Sequence, residues 1–174
     1  MAAFLYGGPL AATGAPADVH TTQRNPLGLI VPGQDALGLY GQWIYAKGVA
    51  STVQGAFVAL DVTVSTYDTA LLDTDVAATQ IGRVAVAMAA VDATTEFGWY
   101  QIYGQVAGLS LASATDTKNA FACATAGSVD DAPLAEPSVG IVNGCFYLSA
   151  VDTPVSGQSY FRLNFPYMTG ISMD

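Results

Sequence analysis

The chain has 174 residues, enough for one domain with a sizeable hydrophobic core. Apolar residues make up 52% and charged ones 11%, which excludes a disordered chain and leaves Ser, Thr, Gly, Ala and Gln, or covering partners, to supply much of the surface. Fourteen acids against five bases give a net charge of -9, which argues against nucleic acid and against anionic membrane as partners.

Residues 1 to about 40 are punctuated by Pro9, Pro16, Pro26 and Pro32 and by Gly7, Gly8, Gly14, Gly28, Gly33 and Gly38. The first residues imitate a secretory signal, with Ala15-Pro16-Ala17 as a cleavage-like triplet. No Lys or Arg precedes Arg24, and Gly7, Gly8 and Pro9 break the apolar run, so the segment reads as part of the mature protein. No apolar run approaches the length of about 20 residues that a spanning helix needs. Short apolar pieces, Phe4-Leu5-Tyr6 and Leu27 to Val31, are unlike a free polar tail. The expectation is an extended N-terminal arm, 1–40, that packs on its own body or on a neighbour, ahead of a β-body, 41–174.

From Tyr40 onward the strand signals become regular. Trp43 and Tyr45 alternate with Ile44 and Ala46. After a turn at Val53-Gln54-Gly55, residues Ala56 to Val64 predict a half-buried strand, with Ala56, Val58 and Leu60 on one face and Phe57, Ala59 and Asp61 on the other. Ser65 to Gln80 reads as a loop holding one helical turn capped by Asp73. Ile81 to Gln105 reads as two strands joined by a polar turn. The first has Val84, Val86 and Met88 on one face and Ala85, Ala87 and Ala89 on the other, which places it inside the protein. The second alternates Trp99, Gln101 and Tyr103 against Tyr100 and Ile102. Leu109 to Asn119 reads as a polar loop, Ala120 to Thr125 as a strand and Gly127 to Pro137 as a turn-rich connection. Val139 to Val151 reads as a long strand bent at Asn143-Gly144. In Tyr160 to Phe165, Phe161, Leu163 and Phe165 share one face, and Pro166 ends the strand.

The second half repeats the first. Gly55 to Ala59 answers Asn119 to Cys123, and Ile81 to Val84 answers Val139 to Val142. Ala90-Val91-Asp92 answers Ala150-Val151-Asp152, and Trp99 to Ile102 answers Tyr160 to Leu163. The expected fold is therefore all-β: a compact β-barrel or β-sandwich built from two similar strand units that bury their inner faces on each other.

Chemistry-bearing patterns are sparse. His20 is the only histidine and lies in the irregular segment, so no nucleophile-histidine pair is legible. One His and two distant cysteines, Cys123 and Cys145, do not make a metal site. The two thiols read either as small buried residues or as one bridge between neighbouring strands. Asp73 and Asp75 lack the glycine and glutamate of a calcium loop. No phosphate-binding glycine motif is present. The expectation is a protein that is not an enzyme and takes no cofactor.

The strand Gly55-Ala56-Phe57-Val58-Ala59-Leu60-Asp61, the run IGRVAVAMAAV from Ile81, the run GWYQIYGQV from Gly98, the Thr125 to Asp131 turn and the Val139-Gly140-Ile141-Val142 strand together resemble the capsid decoration (cement, head-stabilising) proteins of tailed bacteriophages. The resemblance covers about Tyr40 to Phe165. It implies a β-rich virion structural protein on the outer surface of the mature head. It further implies the major capsid protein and sister copies in a homotrimer as partners, and no catalytic residues. The candidate capsid or inter-subunit contacts are Phe4, Tyr6, Pro9, His20, Arg24, Pro26, Leu29 and Trp43. On this reading, removal of residues 1–35 weakens head binding and leaves the body folded. The alternatives are another β-structural part of a virion, such as a head fibre base, tail-tube or tail-tip protein, or a carbohydrate-binding module using Trp99 to Tyr103.

Overall fold

The computed structural model describes residues 14–34, 38–61, 66–75, 82–112, 114–132 and 140–168, with the backbone of Ala3–Phe4. Its strands are β1 (Ala3–Phe4), β2 (Ile30–Gln34), β3 (Tyr40–Lys47), β4 (Phe57–Asp61), β5 (Asp68–Leu71), β6 (Gly82–Ala87), β7 (Phe97–Leu109), β8 (Asn119–Ala122), β9 (Val129–Asp130), β10 (Ile141–Tyr147) and β11 (Gln158–Met168). The fold is all-β, as expected. All eleven strands belong to one antiparallel sheet, ordered β1-β2-β3-β7-β6-β11-β10-β8-β9, with β4 branching from β6 and carrying β5.

The sheet does not close into a barrel. A barrel gives every strand two neighbours. Here β6, β7 and β11 have three each, while β1, β5 and β9 each pair with one other strand, β9 also meeting Ser110 through a bridge at Val129. The duplication is visible in the pairing. The first unit runs β5-β4-β6-β7 and the second β9-β8-β10-β11, each ordered by the same antiparallel contacts. The registers differ, because β10 carries an irregularity between Asn143 and Cys145, where Gly144 adopts φ +75°. This is the bend expected at Asn143-Gly144. The units join where β7 pairs with β11, from Leu109↔Gln158 to Tyr103↔Asn164.

Alternation on β6 explains where the core sits. Val84 and Val86 face one cluster with Phe57, Ala59, Val142, Phe161 and Leu163. Ala85 and Ala87 face a second with Ile44, Val58, Leu60, Tyr100 and Ile102. The side-chain faces of β4 are as expected, but both are buried, so β4 is an inner strand and not a half-buried one. Its second face is covered because residues from both units share the first cluster, with Phe57 and Phe161 edge to face at 5.0 Å.

Residues 14–34 belong to the body. β2 pairs with β3 from Ile30↔Ile44 to Gln34↔Tyr40. His20 and Phe97 exchange two backbone hydrogen bonds of 2.8 Å. Leu27, Leu29 and Val31 cover a third cluster made by Trp43, Tyr45 and Trp99. The described part of the arm thus supplies a strand and a lid, and β2 carries the sheet across the expected boundary at residue 40. Strand β5 lies in the stretch expected to be a loop, followed by helical residues at 74–75, directly after Asp73. Residues 62–64 of the expected β4 strand lie outside the described residues.

Candidate functional site

The candidate contacts separate into three groups. Phe4 contributes backbone pairing to Gly33, while Tyr6 and Pro9 lie outside the described residues. His20 and Trp43 are covered by their own chain, at 5% and 0% exposure. Leu29 is half-buried against the Trp43 cluster. Arg24 and Pro26 are exposed. The His20 Nδ1 lies 2.9 Å from the Tyr45 hydroxyl, which also accepts the Arg24 N–H at 3.3 Å. Burial holds the imidazole below its ordinary value, the Arg24 charge adds to this, and Asp18 opposes it. His20 therefore pins the segment to the body as a neutral ring.

Most of the row named for the alternative carbohydrate-binding reading, Trp99 to Tyr103, is core. Trp99 and Tyr100 are 0% exposed because β7 is buried on both faces there, and Tyr100 donates its hydroxyl hydrogen to the Lys47 carbonyl at 3.1 Å. Tyr103 alone of the row reaches the surface. Cys123 and Cys145 are both free and buried, and burial pushes both thiols up. Among the described residues, no group of three or more His, Cys, Asp or Glu side chains converges as metal ligands, and no helix is long and apolar enough to cross a membrane.

What the structure does assemble is a cleft of about 470 Å³ on the outer face of β3, β7, β11 and β10. Its walls are Leu39, Tyr40, Tyr103 and Phe146, and its polar groups are Gln105, Arg162 and Asn164. Pairing sets these neighbours: Phe146 lies opposite Arg162, Arg162 opposite Gln105, and Asn164 opposite Tyr103. Tyr40 meets Tyr103 edge to face at 5.9 Å, and its hydroxyl accepts the Gln42 amide at 3.1 Å.

Gly104 makes the floor, two residues past the β3–β7 register shift at Ile102. Gly104 sits at φ +100°, where a Cβ would stand 2.4 Å from the Tyr40 carbonyl oxygen. The buried Gln101 amide donates to the carbonyls of Tyr103 and Gln105 at 3.0 and 2.9 Å, bracketing Gly104 from behind. Phe165 extends the aromatic surface. Alternation predicts it inside with Phe161 and Leu163, but its φ of +49° turns the ring outward, 5.3 Å from Tyr103, and Pro166 is buried in its place. Tyr40, Phe146, Phe165 and Tyr167 are 48%, 45%, 41% and 49% exposed.

No carboxylate lines the cleft, and Arg162 makes no ion pair among the described residues. Such a set can stack, hydrogen-bond and attract an anion, but it holds no nucleophile with a base to activate it. The sequence signal for it was the polar-aromatic alternation on β11, Tyr160, Arg162 and Asn164, once β10 and β7 are known to flank that strand. No family model matches the chain, and comparison with curated proteins and with solved structures found no match.

Proposed function

We propose that this chain is a structural protein of a tailed-phage virion that binds the outer surface of the mature head and bridges capsomers as a trimer. One observation carries the reading: a contiguous outer face of exposed rings around a cleft that, among the described residues, holds one cation and no acid, on a molecule of net charge -9. Interface centres are rich in Tyr, Phe and Arg and poor in Lys, Asp and Glu, and this face has that composition. The motif resemblance supplies the partner. A protein that binds only the expanded, closed lattice stabilises that state by its binding free energy. Several modest contacts on one tethered subunit then act together through effective concentration.

The test is a density map of mature virions of the phage that encodes the chain, with mass spectrometry of the particles. The expected result is density for this fold on the outside of the head, at positions touching more than one capsomer. Its location in the tail or inside the head overturns the reading.

A further inference from the structure

We infer that Arg162 is the anchor of the outer face and takes a carboxylate from an acidic side chain of the head protein beneath it. The inference deepens the head-binding reading and rests on it. Arg162 sits at the centre of the face, between Phe146 on β10 and Gln105 on β7. It is exposed, and among the described residues it makes no ion pair and no acid lines the cleft around it. When a partner covers Tyr40, Phe146 and Phe165, the same contact strips water from the guanidinium.

A charge taken from water without a counter-charge opposes binding strongly, so a partner that closes over these rings must bring an acceptor. A carboxylate matches the planar fork of donors with two parallel hydrogen bonds. The net charge of -9 opposes the approach of an acidic surface at long range, so the attraction has to come from the close, paired contact at Arg162. The exposed rings continue past the cleft onto Phe165, a breadth that suits a protein surface better than one sugar ring.

The experiment measures co-sedimentation of the purified chain with heads assembled without it, across a salt series. Arg162→Glu is expected to weaken binding about 30-fold or more, with Arg162→Lys intermediate, because a point charge replaces a fork. Both variants should keep the parent melting temperature, since the side chain is exposed. Binding by Arg162→Glu equal to the parent, with the same salt dependence, overturns the anchor and leaves head binding intact. Loss of self-association in place of head binding assigns Arg162 to a second copy and overturns it too. Competition by free glucuronic acid that Arg162→Glu abolishes assigns the cleft to acidic sugars, with the same consequence. Failure of the unaltered chain to bind heads removes the head-binding reading itself.

Discussion

At the scale of the residue, His20 and Gly104 carry most of the local constraint. His20 is buried, Nδ1 meets the Tyr45 hydroxyl, and Nε2 has no hydrogen-bond partner among the described residues. The folded state therefore prefers the neutral ring, and its proton affinity lies below the ordinary histidine value of 6.5. The sign follows from linkage. The unfolded chain binds the proton first, so this contribution to stability is complete above pH 6.5 and is lost as pH falls through the lower folded value. The unaltered protein should lose more melting temperature between pH 7.5 and 5 than His20→Gln, which cannot titrate. Parallel melting curves for the two proteins across that range would show that His20 is not the group responsible. Gly104 acts differently. Its left-handed backbone lets Tyr40 approach β7, so the cleft depends on a residue that contributes no side chain to it.

At the scale of the element, β6 was legible and β11 only in part. The run Val84 to Ala87 is apolar on both faces, and a strand with no wet face has one place to go. The structure adds which side chains meet it: Phe57 and Phe161 from different units, with the Tyr147 ring tilted against Phe161 at 4.5 Å. Truncating Phe161 to Ala should cost about 3–5 kcal/mol in denaturant unfolding, because it leaves a cavity that rings on two strands line. A loss under about 1 kcal/mol would mean that the site collapses and the units are not locked there. Phe165 was misplaced by period-2 alternation because a positive φ resets the face, and propensity does not announce such a residue in a Phe. β5 and β9 escaped notice: β9 has two residues, too few to show a period, and β5 reads Asp68-Thr69-Ala70-Leu71, two polar residues then two apolar ones, with no alternation. The cleft was invisible for a related reason: Tyr40, Tyr103, Phe146 and Arg162 are separate in the chain and meet only through the pairing of β3, β7, β10 and β11.

At the scale of the whole molecule, the repeat in the sequence becomes two units with the same neighbour order, fused along β7 and β11. The N-terminal segment is not an appendage to them. Removing residues 1–35 takes away β2 and uncovers Trp43, Tyr45 and Trp99, all 0% exposed in the full chain. The truncated protein should melt well below the full chain and bind an environment-sensitive dye. An unchanged melting temperature would restore the picture of a dispensable arm. The open sheet has a last consequence. Strand margins invite a stranger's backbone. Among the described residues the strands with a single strand neighbour, β1, β5 and β9, span two, four and two residues, and Val129 of β9 is covered on its other side by Ser110. Lateral growth of sheet upon sheet needs a longer template than any of these, so crowding many copies side by side need not string them into fibres.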